Sequence, residues 1–465
     1  MTETSASVLD SVRRIHFIGI GGSGMCPLAE ILHTLGYTIT GSDNAESDNV
    51  VRLRKLSIPV HIGHDPQNLG DAELVVYTAA VPADNPELTE AARRGLPVLE
   101  RAQLLGMISR RYSRTVAVAG THGKTTTSSL LTQILLEAGR DPSAFIGGRL
   151  PAIDANGRAG RSPLFVCEAC EFKDHYLQMR PAVSIILDID ADHLDYFGSL
   201  DNIIRSFHRF AELTGEAVIY NRDDKNTCLA VEGLTHGQKL ISCGRSEGCE
   251  WQACHIRFDE HACAVYEARH NGAHFAEIHL GVPGEHNVLN SLTAVAAAYL
   301  CGLSAEEITA GAAHFCGAGR RIERLGTFAG VTLIDDYAHH PTEIAATLHT
   351  ARAMKPKRLW AVFQPFTFSR TAQHLAEFAE ALSLADKAVV SDIMGSREVN
   401  TYGVHADQIT AKIPGGVYLP AFPEIADYVA ENAEPGDVVV TMGAPPISLM
   451  GDELLVALSS RDTED

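Results

Sequence analysis

Residues 117–129 read Ala-Val-Ala-Gly-Thr-His-Gly-Lys-Thr-Thr-Thr-Ser-Ser, and no other stretch constrains the fold as tightly. Residues 115–119 form a short apolar run that reads as a strand, and residues 128–139 carry helical spacing. Between them Gly120 and Gly123 free the backbone to turn and aim its amides inward. Lys124 supplies a cation for terminal phosphates, and Thr125 a hydroxyl within reach of a magnesium ion. The phosphates would then sit on a helix N-terminus. The full nucleotide pattern has a further Gly where Val118 stands, so this is a shortened form. Strand, Gly-x-x-Gly-Lys-Thr-Thr and helix together predict an α/β sheet with a phosphate cradle at its strand ends.

The chain has 465 residues, enough for about three domains. Hydrophobic residues make up 45% of it, which is enough for real cores. With 38 basic against 58 acidic residues the net charge is -20, which argues against nucleic acid or an anionic membrane as a partner. No apolar run reaches the roughly 18 residues of a membrane span. Residues 1–11 are polar and lack the apolar core of a signal peptide, so a cytoplasmic location is expected. Of the ten cysteines, Cys167 and Cys170 form a lone C-x-x-C, and Cys243, Cys249, Cys254 and Cys263 are spaced unlike a zinc ribbon. They read as reduced, mostly buried thiols.

Three segments emerge, all α/β. Residues 1–112 read as a Rossmann-like domain: a strand at 15–20, the run Gly19-Ile20-Gly21-Gly22-Ser23-Gly24, a helix at 25–35 and a second strand ending in Ser42-Asp43. Such glycines suit a diphosphate, and Asp43 lies where a ribose hydroxyl would be read. Residues 113–318 read as a central P-loop ATPase-like domain with a mostly parallel sheet. Its apolar strand at 183–187 leads into the acid run Asp188, Asp190, Asp192 and Asp195, where α/β proteins place magnesium ligands. Partial alternation over 251–280 predicts a small antiparallel part. Asn287 and Asn290 lie about one helical turn apart on one face. Residues 319–465 return to strand–helix alternation, Rossmann-like, with His339-His340 and Arg370 at strand ends.

Two phosphate-binding loops on two domains imply two phosphorylated ligands. One has the Lys-Thr needed for ATP and magnesium. The other suits a nucleotide-diphosphate substrate. An ATP-driven joining reaction fits this layout. From about residue 14 to about 455 the chain resembles the Mur ligase family, most closely the branch that adds L-alanine. The resemblance is carried by Gly-Ile-Gly-Gly-Ser-Gly-Met at 19–25, Gly-Thr-His-Gly-Lys-Thr-Thr-Thr at 120–127 and Asp-His-Leu-Asp at 192–195. His-Asn-Val-Leu-Asn at 286–290, Gly-Arg-Arg at 319–321 and Asp-Asp-Tyr-Ala-His-His-Pro-Thr-Glu at 335–343 extend it.

The resemblance implies that ATP phosphorylates the lactyl carboxylate of UDP-N-acetylmuramate and that the amine of L-alanine displaces phosphate from the acyl phosphate. Gly19, Gly21, Gly22, Ser23 and Gly24 would receive the UDP diphosphate, with Asp43 and Thr78 near the uridine. Gly120, Thr121, His122, Gly123, Lys124, Thr125 and Thr126 would hold the ATP phosphates. Thr125 and Glu168 would bind one magnesium ion and His193 a second. Asn287 and Asn290 would take adenine beside His286, Arg321 a phosphate, and Asp335 or Asp336 the ribose. His339 and Arg370 would face L-alanine. The region 202–211 holds no lysine, so no carbamylated lysine is expected. The enzyme is expected as a monomer or weak homodimer. Nearby alternatives are a tripeptide-recycling ligase and a non-catalytic UDP-muramate-binding homologue; an NAD-dependent oxidoreductase is opposed by Lys124 and Thr125. The chain departs from the family at Phe366, usually His, at Cys170, usually Asp or Ser, and at Ala444-Pro445-Pro446-Ile447, usually Ala-Gly-Asp-Ile. These departures bear on amino-acid choice and turnover rather than on binding ATP or the UDP substrate.

Overall fold

The computed structural model describes residues 4–234, 237–259, 261–396 and 398–461, and the side chain of Asp195 lies outside that description. Among the described residues the strands form three sheets. The first contains β1 (Arg14–Ile18), β2 (Thr38–Asp43), β3 (Val60–Ile62), β4 (Leu74–Tyr77) and β5 (Val98–Glu100) in the order β3-β2-β1-β4-β5. All its pairings are parallel. β1 reads Arg-Ile-His-Phe-Ile and is buried at its last four residues, as a parallel strand covered on both faces must be. Strand order reverses between β1 and β4, which opens a crevice at their C-terminal ends, and the glycine-rich loop 19–24 leaves β1 there.

The second sheet holds β6 (Arg114–Ala119), β7 (Ser143–Leu150), β8 (Ala155–Arg158), β9 (Leu164–Glu168), β10 (Val183–Ile186), β11 (Ala217–Asn221), β12 (Lys239–Gly244), β13 (Trp251–Phe258), β14 (Cys263–His270) and β15 (Ala273–Pro283). Their order is β15-β14-β13-β12-β11-β10-β6-β9-β7-β8. β6 lies between β9 and β10, parallel to both. β8 is antiparallel to β7 at one edge. At the other edge only Asn271 and Gly272 separate β14 from β15, and so short a link folds paired strands antiparallel. β15 alternates exposed and buried residues over most of its length, which is why its period was readable.

The third sheet runs β16-β17-β21-β18-β19-β20, from β16 (Glu323–Phe328), β17 (Val331–Asp336), β18 (Leu359–Phe363), β19 (Lys387–Val390), β20 (Val417–Tyr418) and β21 (Val438–Met442). Only β16 pairs antiparallel.

The chain divides into two compact units, Met1–His255 with Glu267–Ile278 and Leu289–Phe315, and Ile256–Tyr266 with His279–Val288 and Cys316–Asp465. In the first unit one apolar cluster runs from Phe17 and Leu28 through Leu104 and Ile108 to Tyr176, Phe207 and Phe210. Gly106 backs onto the Gln178 backbone so closely that any Cβ would collide. In the second unit Ile334, Phe363 and Val440 belong to one core cluster and Val331, Trp360 and Val439 to another, as the alternation of their strands requires. Among the described residues no helix is long and apolar enough to cross a membrane.

A polar cluster is buried inside the first sheet. Glu87, at the start of helix Pro86–Arg94, accepts from Ser42 Oγ at 2.6 Å and from Asn68 Nδ2 at 2.7 Å. His64 Nδ1 lies 3.3 Å and His16 Nε2 3.7 Å from the same carboxylate. Burial raises its pKa, but the nearby His16 and the bonds from Ser42 and Asn68 overcome this and hold the carboxyl down at about 2. Because the folded value lies below the ordinary 4.5, the unfolded chain binds the proton first. The contribution is therefore complete above pH 4.5 and lost as pH falls towards about 2. Glu87→Gln should lower unfolding free energy at pH 7 by about 2 kcal/mol after allowance for solvent screening. Urea titrations should show the gap to the parent protein narrowing at pH 3.5.

Candidate functional site

The phosphate loop joins β6 to the helix Lys124–Glu137. Gly120 (φ +148°) and Gly123 (φ +78°) carry its turns, and a Cβ at Gly123 would strike the side-chain amide of Asn290. Asp188 anchors the loop from the end of β10. Thr121 N donates to its carbonyl at 3.1 Å and His122 N to its Oδ1 at 2.8 Å. Asp190 N in turn donates to Thr121 Oγ1 at 2.8 Å. Burial pushes the Asp188 carboxyl up to about 6, although His122 and Lys124 pull it back. Two acids of the 188–195 run are thus engaged with the loop itself.

Lys124 Nζ donates to Gly120 O at 2.5 Å and Thr121 O at 3.0 Å, and lies 3.1 and 3.0 Å from the two Glu171 oxygens. Burial works against its charge, but Glu171, Cys170 and Glu168 hold its pKa above the lysine range. The Cys170 thiol is itself pushed up to about 11, by burial and then by Glu171. Thr125 Oγ1 donates to Glu168 Oε2 at 2.8 Å, and Gly147 N donates to the same oxygen at 3.0 Å. Thr126 follows in the first helical turn. His193 takes a left-handed backbone (φ +53°), and its ring centroid lies 4.7 Å from that of Phe172. Lys173 and Asp174 are left-handed as well, an uncommon conformation for residues with a Cβ.

At the glycine-rich loop, Gly19 N and Ile20 N donate to Ser42 O at 2.8 and 3.0 Å. Gly19 is left-handed (φ +79°), and a Cβ there would lie 3.0 Å from Thr78 Cγ2. Gly21 N donates to Asp43 Oδ2 at 2.8 Å, and Gly22 N to Gly19 O at 3.1 Å. Asp43 Oδ1 accepts Asn44 N at 2.8 Å. The carboxylate expected at a ribose therefore uses both oxygens on backbone amides.

The second unit holds the remaining candidates. Asp335 accepts from Arg320 Nε and from Thr441 Oγ1, each at 2.7 Å. Asp336 accepts from Ile322 N and Ala338 N, each at 2.7 Å, and burial pushes it up to about 6 against the pull of Arg321. Both carboxylates thus have internal partners. The guanidinium carbons of Arg320 and Arg321 lie 5.0 and 5.2 Å from the Tyr337 ring centroid. His339 Nδ1 lies 3.0 Å from Tyr337 O and 3.2 Å from Glu343 Oε2, and its ring meets Phe366 edge-on at 6.4 Å. Arg370 sits in the helix Phe368–Gln373 behind Thr367, a left-handed N-cap (φ +66°). Glu398 secures that helix start by accepting Ser369 N at 2.8 Å. His286 opens the helix His286–Leu300, and Asn287 Nδ2 donates to Pro283 O at 2.7 Å.

The first unit therefore brings Lys124, Thr125 and Glu168 together, with Asn290 against the loop. The second groups Arg321, Asp335, Asp336 and His339 around Tyr337. Sequence reasoning missed Glu171 and Gly147. Glu171 directly follows Cys170, and its distance from Lys124 in sequence hid the pairing.

Three family models match the chain: "Mur ligase family, catalytic domain" over residues 14–113, "Mur ligase middle domain" over 118–298 and "Mur ligase, glutamate ligase domain" over 320–445. A UDP-N-acetylmuramate–L-alanine ligase from Caldanaerobacter subterraneus subsp. tengcongensis is 43% identical over 96% of this chain and 98% of its own. One from Agathobacter rectalis is 45% identical over 95% and 97%. Among solved structures, the UDP-N-acetylmuramate-alanine ligase MurC of Thermotoga maritima superposes with a TM-score of 0.81 at 27% identity, covering 97% of this chain and all of that one. A murein peptide ligase from Psychrobacter arcticus gives 0.74 at 27% identity, covering 96% and 99%.

A Cβ on Gly147 would fall onto the Glu168 carboxylate and the Thr125 hydroxyl. Gly147→Ala should spread that pair and lower ATP-dependent phosphate release by about 100-fold, the cost of an ångström-scale misplacement. Steady-state assays beside a thermal melt would measure this.

Proposed function

The chain belongs to the Mur ligase family, and on that premise we propose that it joins L-alanine to the lactyl carboxylate of UDP-N-acetylmuramate at the expense of ATP. The observation that carries this reading is Lys124 beside the Thr125–Glu168 pair on a phosphate loop. A carboxylate is a poor electrophile because its oxygen leaves badly. In the first step a lactyl oxygen attacks the γ-phosphorus, and the bond from that phosphorus to the ADP oxygen breaks. The alanine nitrogen then attacks the acyl carbon, loses a proton, and phosphate departs with the C–O electron pair. The work left to the protein is positioning and charge neutralisation.

Lys124 is assigned to the γ-phosphate, for which Glu171 holds it charged and aimed across the loop. Thr125 and Glu168 present hard oxygen ligands 2.8 Å apart, which suits magnesium. His193 is assigned to a second magnesium ion. Among the described residues no cluster of three or more His, Cys, Asp or Glu forms a metal cage, so phosphate oxygens and water would complete the coordination. When bound, magnesium would neutralise charge between the phosphates. His286, Asn287 and Asn290 are assigned to adenine, Arg321 to phosphate, and His339 and Arg370 to the amino acid. The glycine-rich loop with Thr78 is assigned to the UDP substrate. We divide the chain at 1–112, 113–318 and 319–465, and place it in the cytoplasm as a monomer or weak homodimer.

Phosphate release from ATP with magnesium and UDP-N-acetylmuramate should be stimulated by L-alanine, with a new amide product visible by mass spectrometry. Release with a murein tripeptide instead would make this a recycling ligase. Silence with every acceptor would point to a binding homologue. Lys124→Ala should abolish turnover while UDP-N-acetylmuramate still binds, measured by calorimetry.

A further inference from the structure

The helix that carries Arg370 starts from a turn the chain does not hold by itself. β18 ends at Phe363, and residues 364–367 lead into the helix Phe368–Gln373. Thr367 is left-handed (φ +66°), a conformation that a β-branched residue keeps only where its surroundings dictate it. Its own groups serve the helix. Thr367 Oγ1 accepts Arg370 N at 3.4 Å, and Thr367 O accepts Thr371 Oγ1 at 2.7 Å. The hold from outside comes from residues 394–398, beyond the end of β19.

That segment grips the turn at two places. Thr367 N donates to Met394 O at 2.9 Å and Met394 N to Pro365 O at 2.8 Å, a parallel bridge that brackets Phe366. On the helix side Glu398 places one oxygen on each donor of Ser369. Oε2 accepts Ser369 N at 2.8 Å, and Oε1 accepts Ser369 Oγ at 2.5 Å. Between the two grips Gly395 lies against the Phe368 ring, where a Cβ would come 2.4 Å from Cε2 and push the ring aside. Glu398 N donates to Gly395 O at 2.9 Å, which closes the segment into a turn and fixes where the carboxylate stands.

Two side chains depend on these grips. Phe366 sits between the bridge bonds, and its ring meets His339 edge-on. Arg370 directly follows Ser369, so the start of the helix sets where its guanidinium leaves the backbone. The Ser369 amide lies in the first helical turn and has no intrahelical partner by geometry, so Glu398 takes a donor that the helix cannot satisfy. Bonds to a carboxylate are roughly twice as strong as neutral ones, and two of them fix direction as well as distance.

We propose that Glu398 is the positioning residue for the amino-acid end of the site: through Ser369 it fixes the turn that presents Phe366 and Arg370, and so sets the affinity for the incoming amino acid. This rests on the assignment of Arg370 to the amino acid. The test is steady-state kinetics with L-alanine, ATP and UDP-N-acetylmuramate varied in turn. Glu398→Ala should raise KM for L-alanine by about tenfold to a hundredfold, the range for hydrogen bonds to a charged group. The fall in kcat should be far smaller, because a carboxylate held by Arg370 is bound alike in the ground state and the transition state. KM for ATP and for UDP-N-acetylmuramate should be unchanged. Glu398→Gln keeps one acceptor oxygen and should recover part of the loss. Ser369→Ala keeps its N–H and should cost a few-fold. Adding it to Glu398→Ala should cost nothing further, because the hydroxyl acts through the carboxylate. A Glu398→Ala protein with the parent KM for L-alanine overturns the inference alone, as does an equal rise in all three KM values, which marks a structural role. Should Glu398→Ala fail to fold, the same comparison on Glu398→Gln decides it. A parent protein whose phosphate release L-alanine does not stimulate overturns the acceptor reading and this inference with it.

Discussion

Backbone amides are the shared resource on which both loops depend. An amide bonded to the protein is fixed but unavailable, and one left free is available only if its neighbours are fixed. At the glycine-rich loop Ser42 O and Asp43 take the amides of Gly19, Ile20 and Gly21. At the phosphate loop Asp188 takes those of Thr121 and His122. The first amides of the helix Lys124–Glu137 then have no intrahelical partner by geometry, and they face the end of the loop. Both loops use a carboxylate at the end of a neighbouring parallel strand to set the backbone, and both leave the helix-proximal amides unclaimed. The arrangement follows from parallel strands ending at one edge, which bring the acid of one strand beside the loop leaving the next.

What could be read from the chain was local. The apolar strands expected at 115–119 and 183–187 are observed as β6 (Arg114–Ala119) and β10 (Val183–Ile186), each within one residue of its expected ends. The phosphate loop was readable because its glycines, lysine and threonine lie within six residues of one another. Pairings across long stretches were not. Glu171 lies 47 residues from Lys124, and Gly147 lies 21 from Glu168, so only the strand order β6-β9-β7 brings them together. The polar cluster of His16, Ser42, His64 and Glu87 was missed for another reason: sequence patterning treats polar residues as exposed, and here they gather around one carboxylate inside a sheet. Asp43 shows the converse. It ends β2 as expected, but the amides of Gly21 and Asn44 claim both its oxygens.

Charge decides how each cation is kept. The chain carries -20, so a basic side chain near a phosphate site lies in a field that favours its charge but also supplies carboxylates to neutralise it. Lys124 is enclosed, and a buried ammonium without a counter-charge would tend to lose its proton. Glu171 prevents this, and two loop carbonyls take further N–H bonds. On the proposed reading, a terminal phosphate would replace one anion by another at the same cation, so the lysine would never be left bare. Arg101, beside Gly24 of the glycine-rich loop, is in a different position. It is half-buried, and water can solvate the exposed part. The enclosed cation therefore carries an exchangeable partner and the open one carries none, as the different desolvation costs at the two loops require.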